Sequence, residues 1–278
     1  MKRKGELTTQ QLITIIILIV SFGVLLFFIF RLNLGGDVTN KEICHNSVLM
    51  KSKSKIGGSA LDCRTNYICI SGGGKCEGFS ATDTVEIDVN SPNAKEQVMK
   101  AIADEMADCW WMFGEGKVDY VGFSIGTAIT GDITCSLCSI ISFDKKIRDD
   151  EKLKGGIEYE KFYNYLQSIE KETGRNYLYY LYGAQDIEEV KKIIPINFQE
   201  SIEFNKQYSV LTGVGKLDVL RKSANWFYSG FDAFNSIFGL DKFLGKTVKF
   251  KGYGTIPVTI KEKSKVNGLG CTDFLTKA

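Results

Sequence analysis

Apolar and polar positions follow three different rhythms along this chain. Over residues 12–30 there is no rhythm at all: the run is apolar throughout, without a charge or a proline, and only Thr14, Ser21 and Gly23 interrupt it. Nineteen such residues, at a rise of ~1.5 Å each, make a helix of roughly 28 Å, close to the hydrocarbon thickness of a bilayer. A secretory signal peptide has an apolar region of about 7–15 residues that ends in a small-residue cleavage site. Here Arg31-Leu32-Asn33-Leu34 follows instead, so a retained single-pass transmembrane helix is expected.

The second rhythm has a period of two. Val85, Ile87 and Val89 alternate with Glu86 and Asp88 as in a half-buried strand. A short strand is predicted over 67–70, and strands over 120–143 are broken at Gly131-Asp132. Two more are predicted within 196–210, where Ile196, Phe198, Ile202, Phe204, Tyr208 and Val210 occupy even positions. A hairpin is expected from 248–250 and 256–260 across Gly252-Tyr253-Gly254.

The third rhythm is helical. Asn90-Ser91-Pro92 supplies a cap and a first-turn proline. Val98, Ile102, Met106, Cys109 or Trp110, and Phe113 then form one face, with Asp104, Glu105 and Asp108 turned away and Gly114 and Gly116 as the stop. Tyr159, Phe162, Tyr163, Leu166 and Ile169 mark another helix, closed by Gly174. A short one over 186–194 spaces Glu188 and Glu189 to pair with Lys191 and Lys192, and ends at Pro195. Residues 226–243 carry Phe227, Phe231, Phe234 and Phe238 on one stripe. Helices and strands mixed without regular βαβ alternation predict an α+β fold.

Charge adds a direction. Lys2, Arg3 and Lys4 precede the apolar run and only Arg31 follows closely, so the positive-inside bias puts the N-terminus in the cytoplasm and the rest outside. The expected organisation is a basic leader (1–11), the span (12–30), a linker (31–43) and an extracytoplasmic α+β domain (44–278), with a candidate lobe boundary at the polar stretch 149–156. Without Lys2, Arg3, Lys4, Arg31 and Glu6 the formal charge of +2 falls to −1. The basic balance belongs to the anchor, and no nucleic-acid partner is implied.

All eight cysteines follow the apolar run: Cys44, Cys63, Cys69, Cys76, Cys109, Cys135, Cys138 and Cys271. An even number in an oxidising compartment predicts up to four disulfides. If all are bridged, Cys271 reaches back to the first half of the chain. Cys135-Ser136-Leu137-Cys138 has the spacing of a redox pair or of half a zinc site, but a second close pair is missing and His45 is the only histidine. Its flanks read as strand, where residues three apart face opposite sides and take different partners. Cys109 is expected to staple its helix to a sheet.

The residues before the span carry a resemblance. Lys2-Arg3-Lys4-Gly5-Glu6-Leu7-Thr8-Thr9-Gln10 resembles the class III signal peptide of archaeal type IV pilin-like proteins: a short basic leader, a glycine before the cut, a polar stretch, then an apolar helix kept after cleavage. Thr8 stands at the hydroxyl position and Gln10 where the family has glutamate. The likeness covers about the first thirty residues. It implies processing between Gly5 and Glu6, and a helix retained for anchoring and filament packing. The other reading is a plain anchor whose basic tail only sets topology.

Other candidates have plainer readings beside them. Trp110 and Trp111, and Trp226 with Phe231 in the aromatic segment, are candidate partner-binding residues, or core. Lys246, Lys249, Lys251, Lys261, Lys263 and Lys265 would meet an acidic surface, or guard an edge strand together with Pro257. Catalytic signals are sparse. Gly72-Gly73-Gly74-Lys75 runs into Cys76 rather than the serine or threonine of a phosphate loop. Carboxylate pairs such as Glu86 with Asp88, or Asp149 with Asp150, are ordinary on solvated faces. The expectation is a membrane-anchored structural or adhesive surface protein, with an anchored enzyme or a thiol oxidoreductase at Cys135/Cys138 as the alternative. Lipid, copies of itself or other envelope proteins are the expected partners, and no cofactor is expected.

Overall fold

The computed structural model of the chain describes residues 9–31, 39–53, 61–118, 120, 133–191, 197–216, 253–264 and 273–274, and within the first helix the side chains of 10, 11 and 13–24. Contacts divide the chain into two units, Met1–Thr39 and Asn40–Ala278.

In the first unit, α1 spans Thr9–Arg31. Its described large apolar side chains are exposed, from 48 % at Ile15 to 65 % at Leu18. Its hydroxyls close on the helix itself: Thr14 donates to the Gln10 carbonyl and Ser21 to that of Leu18, both at 2.9 Å. Among the described residues no helix is long and apolar enough to cross a membrane. The span expected over 12–30 reaches past the side chains described in α1.

The second unit is a mixed α+β fold. Its elements run α2 (Asn40–Lys53), β1 (Asn66–Ser71), β2 (Asp83–Glu86), α3 (Ala94–Met112), β3 (Ile133–Phe143), α4 (Lys145–Asp149), β4 (Ile157–Glu158) and α5 (Tyr159–Ser168). There follow β5 (Glu170–Glu172), β6 (Arg175–Asn176), α6 (Tyr177–Tyr182), α7 (Ile187–Lys191), β7 (Ser201–Ile202), β8 (Tyr208–Lys216), β9 (Tyr253–Glu262) and β10 (Asp273–Phe274). The main sheet has the order β2-β1-β3-β8-β9, with β10 paired to the start of β3. β1, β2 and β10 run parallel to their neighbours, whereas β8 and β9 are antiparallel. Two small ladders, β4–β7 and β5–β6, sit beside it.

Alternation explains the core. Ile68 and Ile70, Ile141 and Phe143, Tyr208 and Val210, and Val258 and Ile260 join one buried cluster with Val98, Ile102 and Met106 of α3. Phe162, Tyr163 and Leu166 of α5 and Leu178, Leu181 and Tyr182 of α6 complete it. Two bulges shape the sheet. Against β8, β3 carries the extra residue Cys138 between Leu137 and Ser139. Against β8, β9 carries Pro257 and Val258 opposite Thr212 alone. A proline is tolerated there because a bulge asks no ladder hydrogen bond of it, and the buried Tyr182 hydroxyl donates to the freed Val258 carbonyl at 2.9 Å.

Several boundaries differ from the sequence reading. α2 starts at Asn40, inside the stretch expected as linker, and continues to Lys53, where no element was expected. Only Cys44 and Val48 of it are buried, which is too little apolar periodicity to see. α3 begins at Ala94 after Asn93, not at the Asn90 cap, and Glu105 is buried at 6 % rather than turned away. The stretch 149–156 is no boundary between units: Leu153 is fully buried. α5 closes at Ser168 with Ile169 exposed, and Gly174, at φ +75°, serves the β5–β6 turn. β9 begins at Tyr253, inside the expected turn, and pairs with the distant β8. The elements expected over 121–131, 226–243 and 248–250 lie outside the described residues.

Candidate functional site

The glycine loop holds an anion of its own. β1 ends at Ser71, and Gly72 and Gly74 present their N–H groups to Asp144, the residue after β3, while the Gly73 N–H donates to the Ser71 hydroxyl at 2.9 Å. Gly72 and Gly74 donate to Oδ2 at 3.1 and 2.9 Å, and the Ser71 hydroxyl lies 3.1 Å from the same oxygen. Oδ1 accepts from the Ile147 N–H at 2.9 Å, capping α4. A Cβ at Gly74 would stand 2.7 Å from Oδ2, and Gly73 has φ +97°. Backbone N–H groups in such a turn form an anion-binding concavity. Here a fully buried carboxylate of the chain fills it.

The described cysteines are all bonded. Cys44–Cys63 holds α2, Cys69–Cys76 closes the glycine loop, and Cys109–Cys138 ties α3 to β3 as the staple expected for Cys109. The bulge at Cys138 re-aims a strand side chain, and Cys138 lies with Cys109 in the core cluster. Cys135 is bonded as well, but Cys138 is taken by Cys109, so the two are not joined as a redox couple would be. Among the described residues no group of three or more histidine, cysteine or acidic side chains is arranged to hold a metal.

Trp110 and Trp111 part company. Trp110 is 7 % exposed in the core. Trp111 stacks on His45 of α2, ring centroids 3.9 Å apart and planes at 10°, while His45 Nδ1 lies 2.7 Å from the Trp111 carbonyl. One turn earlier on α2, Lys41 Nζ reaches Glu105 at 2.6 Å and Asp108 at 2.8 Å. Burial pushes the Glu105 carboxyl above its ordinary value, and Lys41 offsets only part of that. For Lys41, burial lowers the amine, but Glu105 and Asp108 more than reverse it. These contacts clamp α2 onto α3, while Cys44–Cys63 ties α2 to the segment before β1.

A polar cleft of about 550 Å³ is lined by the turn after α4, by residues 197–208 and by the end of β9. Its aromatic surface is Tyr159, Phe204 and Tyr208. Burial pushes the Tyr208 phenol up to about 12, and its oxygen accepts from the Glu203 N–H at 2.7 Å. Lys206 bridges Glu203 at 2.9 Å and Glu262 at 3.3 Å. Arg148 is less engaged: its nearest carboxylate, Glu77, is 3.6 Å away, and its Nε is buried without a partner. Gly155 and Gly156 have φ +90° and +74°, and a Cβ at Gly156 would stand 2.2 Å from the Ile202 carbonyl oxygen.

Sequence reasoning missed this cleft. Arg148, Tyr159, Tyr208 and Lys261 come from four elements, and only Lys261 carried a signal, as one of the C-terminal lysines. Lys263 lies on the rim of β9, donating to Gln207 Oε1 at 3.1 Å. Gly5, Glu6, Trp226, Phe231, Lys246, Lys249, Lys251, Lys265 and Cys271 lie outside the described residues. No family model, curated protein or solved structure matches this chain.

Proposed function

We propose that this is a single-pass protein of the cell envelope: α1 anchors it, and the disulfide-bonded α+β unit stands outside the cytoplasm as a structural or adhesive surface domain, assembled through the helix as a pilin-like subunit. The observation that carries the reading is α1. In hydrocarbon every polar group needs a partner inside the protein, and α1 combines exposed apolar side chains with hydroxyls bonded to its own carbonyls. A water-facing helix would carry a polar face. The three disulfides support an oxidising location, and the Cys109–Cys138 bond weighs against dithiol chemistry at Cys135/Cys138.

Fractionation tests the anchor. The native chain is expected to stay with membranes through alkaline carbonate and to leave them only in detergent; recovery in the soluble fraction would overturn the proposal. N-terminal sequencing tests the finer part. A mature chain beginning at Glu6, and a Gly5→Leu variant that keeps Met1, is the expected result. A native chain that begins at Met1 removes the pilin-like assembly and leaves the anchor standing.

A further inference from the structure

The cleft beside α4 has cationic donors to spare. Four cationic side chains line it, Arg148, Lys154, Lys206 and Lys261, against the three carboxylates Glu200, Glu203 and Glu262. Two of those carboxylates are spent on Lys206 alone. Lys154 reaches only the exposed Glu151 at 3.4 Å. Among the described residues Lys261 makes no ion pair, and Arg148 comes no nearer to a carboxylate than 3.6 Å. A guanidinium with unused donors presents a planar fork suited to a carboxylate or a phosphate.

We infer that this cleft binds a small polar molecule through a carboxylate or phosphate group, which Arg148 and Lys261 hold above the aromatic surface of Tyr159, Phe204 and Tyr208. Its volume of about 550 Å³ falls within the roughly 300–1,000 Å³ of small-molecule sites. The walls are set before any ligand arrives. The β4–β7 ladder pairs Ile157 with Ile202, and Gly156 is pressed against the Ile202 carbonyl where no side chain fits. The Tyr208 phenol is held by the Glu203 N–H. Such preorganisation lowers the ordering cost of binding. The inference concerns the α+β unit only and does not depend on the membrane anchor.

Isothermal titration of the full chain in detergent micelles tests it, with glucuronate, glucose 6-phosphate and glucose as probes. At least one of the two oxyanion-bearing sugars is expected to saturate and glucose to give no binding; the tighter of the two tells a carboxylate preference from a phosphate one. Arg148→Gln and Lys261→Gln should each weaken that binding by roughly tenfold, the loss of one charge-assisted contact. Arg148→Lys should fall between, and Lys95→Gln, on α3 away from the cleft, should match the unsubstituted chain. Melting curves of each variant separate lost binding from lost fold. Binding of neither oxyanion probe, equal binding of glucose, or binding that well-folded Arg148→Gln and Lys261→Gln leave unchanged would each overturn the inference.

Discussion

The two ends of the five-residue helix α4 treat a charged side chain in opposite ways. Before its first turn, Asp144 is fully buried and takes hydrogen bonds from the Gly72, Gly74 and Ile147 amides. Near its other end, Arg148 borders an open cleft with its nearest carboxylate at 3.6 Å and its Nε unpartnered. A charge whose partners are all supplied by the chain is part of the fold, because removing it leaves donors of the chain without their acceptor. A charge left under-paired at a cavity contributes little to stability and is free to meet something else. The glycine loop looks like an anion site in the sequence and is already full, whereas the cleft has no motif and has donors to spare.

Breaking the first end should have the largest effect. Asp144→Ala takes the acceptor from the Gly72 and Ile147 amides and one of two acceptors from the Gly74 amide, whose other is the Ser71 hydroxyl, and a loss of about 3–5 kcal/mol is expected in denaturant unfolding. A change under about 1 kcal/mol would mean that the loop re-forms around water. Next come the glycines. Gly156→Ala combines φ +74° with a Cβ 2.2 Å from the Ile202 oxygen and should cost about 2–4 kcal/mol by the same measurement. Gly155→Ala, at φ +90° with open space around its Cβ, should cost only about 1 kcal/mol.

The α2–α3 clamp lies between the two extremes and makes the comparison depend on pH. Because Glu105 is held above the ordinary 4.5, its ionisation is penalised in the folded state. That penalty is absent in acid and complete once the pH passes the folded value. Lys41, raised above 10.5, contributes stability that is present below its unfolded value and is lost as the pH climbs through the folded one. Lys41→Met should therefore cost about 1–3 kcal/mol at neutral pH, and the loss should shrink in acid as Glu105 takes a proton. Melts from about pH 4 to 8 check this; a loss of equal size throughout would assign the effect to packing instead. The smallest effect belongs to Arg148→Gln, expected within about 0.5 kcal/mol of the unsubstituted chain. A large loss there would make Arg148 structural and erase the contrast.

Legibility depended on how local each signal was. The face of α3 from Val98 to Phe113 was readable because its period needs only its own residues, whereas the strand expected from Val85, Ile87 and Val89 ends at Glu86. α2 was hidden because Cys44 and Val48 alone are buried. Glu105 was misjudged because the residue that makes its burial tolerable, Lys41, is 64 positions earlier. α6 went unread, since six residues of Tyr and Leu have no period until Asn176 caps them and Gly183 ends them. The cleft was beyond reach: its lining residues are scattered from Arg148 to Glu262, and no spacing encodes a cavity.

By itself the sequence determined the apolar helix at the N-terminus, the mixed α+β character of the larger unit, and a set of cysteines suited to disulfides. These depend on composition and on periods of a few residues, and no distant contact is needed to read them. Tertiary structure decided three of the cysteine pairings, that Asp144 rather than a ligand fills the glycine loop, and that Arg148 stands under-paired beside the same cleft as Lys261. The reason is physical: a hydrogen bond, an ion pair or a cavity wall depends on which residues the folded chain brings within a few ångströms, and that is a property of the whole sheet and not of any segment.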